Sequence, residues 1–195
     1  MKYPLTLSFK LLALGSRIYV RDADGALVGY VKQKLLKLKE EINVYADEEQ
    51  KIHLYTIKAD RVLDFSAKYN FTDSRGNQIG AIKRRGMRSI WKANYEIFDQ
   101  SDDSNLQISE ENAWVKVFDS LVGEIPIVGM FAGYVFNPAY LVARPDGTTI
   151  ARLAKQPAMF EGKFVLEKMT NLSEEEEVRV LLSVLTMTLA ERARG

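Results

Sequence analysis

Ser173-Glu174-Glu175-Glu176-Glu177-Val178-Arg179-Val180-Leu181-Leu182-Ser183-Val184-Leu185-Thr186-Met187-Thr188-Leu189-Ala190-Glu191-Arg192-Ala193-Arg194 reads as one complete helix. Ser173 suits the N-cap, and Glu176 three residues later completes a capping box. Glu174 to Glu177 lie at the positive pole of the helix dipole, Arg192 and Arg194 at the negative pole. Between the poles the apolar residues fall on nearly every side, broken mainly by the small Ser183, Thr186 and Thr188 and by one charge, Arg179. A helix apolar all round must be enclosed. At ~1.5 Å per residue its apolar core spans roughly 20 Å, short of a ~30 Å bilayer. The expectation is therefore a core helix over 173–193 in a globular protein.

What precedes the helix reads as the material to enclose it. A hairpin unit recurs: an apolar or aromatic run, then Asp and usually Gly, then a second run often closed by Lys or Arg. Ile18 to Gly25 leads into Leu27 to Lys32, Ile42 to Asp47 into Ile52 to Lys58, and Tyr69 to Gly76 into Gln78 to Lys83. Tyr95 to Asp99 leads on to Leu106 to Ile108, and Tyr140 to Gly147 into Thr149 to Lys155. Asp bonds nearby backbone and Gly accepts positive φ, so both suit the turns. The first four units start roughly 24 to 27 residues apart, the length of two short strands with connections. Alternation is clean in Leu63, Phe65, Ala67, Tyr69 and Phe71, and in Trp91, Ala93, Tyr95 and Ile97. Leu35, Leu38, Ile42 and Tyr45 also fit a helix, but Leu36-Lys37-Leu38-Lys39 favours a strand. A meander of this kind closes or leaves exposed edges. The reading is a mainly β fold, a closed antiparallel barrel around the C-terminal helix, forming a single domain over 1–195.

The bulk numbers exclude several chemistries. The 195 residues are 47% apolar and 27% charged, ordinary for a globular protein. Lys plus Arg total 27 against 26 Asp plus Glu, which gives no reason to expect nucleic acid as a partner. No cysteine is present and His53 is the single histidine, so thiolate and multi-histidine metal sites are excluded. No cofactor is expected. Near the N-terminus Tyr3, Leu5, Leu7 and Phe9 alternate with polar residues, and Lys10 interrupts any signal-peptide run, so the expected location is cytoplasmic.

A hairpin barrel followed by one apolar helix resembles the tubby C-terminal-like superfamily, and within it the LURP-one-related proteins and their phospholipid-scramblase relatives. The matching residues are Leu7-Ser8-Phe9-Lys10-Leu11-Leu12-Ala13-Leu14-Gly15, Val20-Arg21-Asp22-Ala23-Asp24-Gly25, the hairpin returns at Val31-Lys32 and Ile57-Lys58, and the terminal helix. The resemblance implies about twelve strands with the helix threaded through their centre. It also implies a non-enzymatic module, since tubby-type domains bind phosphoinositide headgroups. The proline-rich arm, cysteine cluster and membrane span of the scramblases are missing, which argues against lipid flipping.

Two segments are candidate sites. Lys83-Arg84-Arg85-Gly86-Met87-Arg88-Ser89-Ile90-Trp91-Lys92 holds five cations, Lys83, Arg84, Arg85, Arg88 and Lys92, suited to phosphate oxygens. Trp91 fits a membrane interface, or points inward with Ala93 and Tyr95. The bland reading of this stretch is a solvated hairpin connection. The second segment, 121–138 within an apolar insertion around 119–139, carries Glu124 as its one charge. Ile127, Met130, Phe131, Tyr134 and Phe136 make it either an exposed membrane-dipping or partner-binding element, or a short helix begun by Pro126 and folded onto the barrel.

Other features have simpler explanations. Lys32, Lys34, Lys37 and Lys39 read as protection of a strand edge. Turn chemistry accounts for Asp22, Asp24, Asp73 and Asp146. Asp99, Asp102 and Asp103 lack the spacing of a calcium loop. His53 reads as packing within a strand. No phosphate loop, nucleophile elbow or triad pattern occurs, so enzymatic activity is not expected. Two functions follow: a binding module for anionic phospholipid or a membrane-associated protein, peripheral to the membrane, or an interaction scaffold or homo-oligomer using 121–138.

Overall fold

The computed structural model describes residues 1–12, 15–33, 41–61, 67–85, 94–111, 138–157 and 162–192. Twelve strands precede one helix among these residues: β1 (Leu5–Leu12), β2 (Gly15–Arg21), β3 (Leu27–Gln33), β4 (Glu41–Tyr45), β5 (His53–Ala59), β6 (Lys68–Asp73), β7 (Gln78–Arg84), β8 (Asn94–Phe98), β9 (Ser104–Glu110), β10 (Ala139–Ala143), β11 (Thr149–Gln156), β12 (Gly162–Lys168) and α1 (Glu174–Arg192). Each strand pairs antiparallel with its sequence neighbours, and β1 pairs with β12 to close the barrel.

Strand alternation sets the two faces. Leu5, Leu7 and Phe9 of β1 are buried, as are Tyr69 and Phe71 of β6 and Tyr95 and Ile97 of β8. These are the inward positions expected from the period of two. Leu63, Phe65, Trp91 and Ala93 lie outside the described residues, as do Lys34, Lys37 and Lys39. Strand β3 pairs with β2, where Lys32 stands opposite Arg17, and with β4 through Tyr30 and Tyr45.

The helix fills the cylinder. Every residue from Arg179 to Leu189 is buried. Successive helical residues turn by about 100°, so unbroken burial requires walls in all directions. The Thr186 and Thr188 hydroxyls donate to the carbonyls of Leu182 and Val184 at 2.7 and 2.6 Å, which lets polar residues sit in an apolar core. The capping box forms as expected. Glu176 N–H donates to Ser173 Oγ at 3.2 Å, and Ser173 N–H donates to the Glu176 carboxylate at 3.1 Å.

Antiparallel order places connections alternately at two ends. The β2–β3, β4–β5, β6–β7, β8–β9 and β10–β11 turns share one end with the start of α1. Here Asp73 Oδ1 accepts from Arg75 and Asn77 N–H, both at 2.8 Å, and Gly76 takes φ +85°. Asp99 accepts from Ser101 and Asp103 N–H in the same manner. At the opposite end α1 finishes, and β1, β3, β5, β7, β9 and β11 run out.

Candidate functional site

The basic run begins on the last residues of β7. Lys83 stands opposite Lys68 of β6 and Glu96 of β8, on the outer face. Arg84 occupies the other parity. It follows the buried Ile82 by two positions and stands opposite Tyr95, which is 4% exposed. The Tyr95 hydroxyl donates to Glu191 of α1 at 2.6 Å, so this inner corner belongs to the barrel interior. Arg85 continues the pairing through its N–H to Asn94 O at 2.9 Å, and its Nε lies 3.6 Å from Glu96. The alternation of β7 thus separates neighbours in sequence. Lys83 and Arg85 share the outer register, and Arg84 is turned toward the helix. Arg88 and Lys92 lie outside the described residues, as do Ile127, Met130, Phe131, Tyr134 and Phe136.

Charge is divided between the two ends. The turn end carries Asp22, Asp24, Asp47, Asp73, Asp99 and Asp146, with Glu174 to Glu177 of α1 beside them. Asp73 is held below the usual carboxylate range first by the Asn77 side-chain amide, and Asp146 by the Thr148 N–H. Several cations here are already paired. Lys2 bonds Asp24, Arg144 meets Glu176 at 2.9 Å, and Lys168 meets Glu177 at 2.8 Å. The opposite end gathers Lys10, Arg17, Lys32, Lys83, Arg85, Lys155 and Lys163 near strand termini. Lys32, Lys83, Lys155 and Lys163 have no ion pair among the described residues. A net charge of +1 therefore conceals a polar molecule. Periodicity did not show this, because it depends on which ends the strands share.

At the basic end Tyr140 is pushed up to about 12 by burial and then by the nearby Glu191 and Glu110. His53 Nε2 lies 3.0 Å from both Tyr55 O and Thr56 Oγ1, inside the β5 wall. At the turn end a cleft of about 300 Å³ is lined by Tyr55, Asp73, Asn77, Gln78, Ile79, Gln100, Glu174, Glu175 and Val178. Among the described residues no group of three His, Asp or Glu side chains is placed to hold a metal ion. No helix among them is long and apolar enough to cross a membrane.

Comparison with known proteins identifies the family. A search of curated proteins found no match. An X-ray structure of a protein from Arabidopsis thaliana is similar at a TM-score of 0.47 and 12% identity, over 94% of this chain and 90% of that one. The model of the LURP-one-related family matches residues 27–155, the span from β3 to the penultimate residue of β11. Together with a closed barrel of twelve strands around a C-terminal helix, that match places this chain in the LURP-one-related family.

Proposed function

We propose that this chain is a non-enzymatic binding module that recognises anionic phospholipid headgroups at a membrane surface, as a peripheral protein on the cytoplasmic side. Lys83 and Arg85, on the outer register, supply positive charge together with Arg88 and Lys92, Arg84 being turned inward, and Ile127, Met130, Phe131, Tyr134 and Phe136 supply apolar contact. One observation carries the reading: β7, which leads into the basic run, and β9 and β10, which flank the apolar insertion, open at the same end of the barrel. Positive charge and apolar contact together are the two signals that reversible membrane binding requires.

The test is co-sedimentation with phosphatidylcholine vesicles, with and without phosphatidylserine, across a salt series. Binding is expected only with the anionic lipid and is expected to weaken with salt. Lys83→Glu with Arg85→Glu, both on the outer register, is expected to lower affinity at least about tenfold, since each cation near such a surface contributes about 1 kcal/mol. Equal binding to neutral vesicles refutes the headgroup reading. No vesicle binding, together with a mass that rises with concentration, supports the scaffold or homo-oligomer that uses 121–138 instead.

A further inference from the structure

A guanidinium keeps its charge at any physiological pH, and burying one without a partner destabilises the fold. Arg179 of α1 is 7% exposed, its Nε is buried without an acceptor, and among the described residues it makes no hydrogen bond or ion pair. The barrel wall nonetheless makes room for it. A Cβ at Gly80 would stand 2.7 Å from Arg179 Cδ and 3.2 Å from its Cγ, so the glycine is what lets the stem lie against β7. A seated, unmatched charge inside a barrel lowers stability, and such sacrifices collect where a protein binds something.

The cleft at the turn end opens one helical turn above this cation. Glu175, which lines it, precedes Arg179 by four residues and so shares its helix face. Helical side chains lean toward the N-terminus, which directs the Arg179 fork from its seat at Gly80 toward the cleft that Gln78 and Ile79 also line. Four residues of rise separate Glu175 from Arg179 by about 6 Å. Glu174 and Glu175 are exposed at the rim and make no ion pair among the described residues, whereas Asp73 is already committed to the N–H groups of Arg75 and Asn77. The cleft is thus negative at its rim and positive beneath, with Tyr55, Ile79 and Val178 as apolar wall. Its volume of about 300 Å³ suits a small ligand. Inorganic phosphate fits the fork but is repelled by the rim carboxylates. A zwitterion satisfies both. We infer that this cleft binds a free α-amino acid with an apolar side chain, its carboxylate on the Arg179 fork and its ammonium toward Glu174 and Glu175. The site lies at the opposite end of the barrel from the basic run and does not depend on the membrane reading.

Titration calorimetry of the full chain with free leucine, isoleucine and phenylalanine tests it. Saturable binding of at least one is expected. Isocaproate and isoamylamine keep the branched chain of leucine but lack its ammonium and its carboxylate respectively. Each is expected to bind at least about tenfold more weakly than leucine, because each forfeits a charge-assisted contact. Arg179→Met is expected to lower amino-acid affinity at least about tenfold while raising the melting temperature, which separates loss of the site from loss of the fold. Arg179→Lys, which keeps the charge but not the fork, makes the same comparison should the methionine variant fail to fold. Glu174→Gln with Glu175→Gln is expected to weaken binding as well. No saturable heat with any of the three amino acids overturns the inference. Undiminished affinity in the Arg179 variants, isocaproate binding as tightly as leucine, or inorganic phosphate binding more tightly than any amino acid overturns it equally.

Discussion

Replacing Gly80 by alanine tests the seat of the helix against the wall. The β6–β7 register slips by one residue, with Phe71 opposite Gly80 and Thr72 opposite Gln78, which brings Gly80 against α1. A Cβ there would stand 2.4 Å from the Phe98 carbonyl oxygen and 2.7 Å from Arg179 Cδ, and the backbone already sits at φ +157°. The oxygen cannot swing aside, because Phe98 is tied opposite Ala81 in the β7–β8 ladder. Overpacking of this kind costs typically 1–3 kcal/mol, so about 3 kcal/mol is expected where backbone is the obstacle. For a chain of this length that corresponds to a fall of roughly 6–12 °C in Tm. Gly29→Ala is the control. Its nearest neighbours, on Val20, stand at 3.5 Å, ordinary contact, so a much smaller change is expected. Urea and thermal unfolding followed by circular dichroism measure both. A Gly80→Ala protein within about 0.5 kcal/mol of wild type would show that α1 and β7 are not packed this closely.

Two further outcomes concern charges near the helix start. Arg179 is 7% exposed and its Nε is buried with no acceptor among the described residues, so Arg179→Met is expected to raise stability by about 1–3 kcal/mol in urea titration. A loss would mean that the guanidinium holds a partner. Burial pushes the Glu177 carboxyl up, but Lys168 and the amino terminus outweigh it, and its pKa is lowered on balance. The unfolded chain then binds more protons, so this contribution is full above the unfolded value of about 4.3 and disappears as pH falls through the folded value. Lys168→Met is therefore expected to move the acid-unfolding midpoint to higher pH. An unchanged midpoint in an acid titration refutes the pairing.

Much of the fold was legible because its signals are local. The capping box at Ser173 and Glu176 and the unbroken apolar stretch marked the helix, which covers Glu174–Arg192 among the described residues. Asp-Gly turns and strand alternation placed the hairpins. Closure, by contrast, is a property of the whole strand order, invisible at any one strand. In the basic run the parity is legible: Ile82 and Arg84 share it, so an inward Ile82 turns Arg84 inward as well. Register is not legible in this way: Lys10, Arg17 and Lys32 become neighbours only through the pairing of β1, β2 and β3, which depends on how long each connection is.

The position of α1 in the chain also governs how the molecule is made. A ribosome releases all twelve strands before the rod that fills them. At ~5–20 residues per second, roughly 175 residues separate the emergence of Leu5 from that of Val180, a wait of about 10–35 s. Throughout that interval the inner faces of the strands have no helix to close on, and for most of it β1 has no β12 to meet. Nascent chains of this protein should therefore draw on holdase chaperones until α1 has emerged, and should acquire protease resistance in one step at that point rather than hairpin by hairpin.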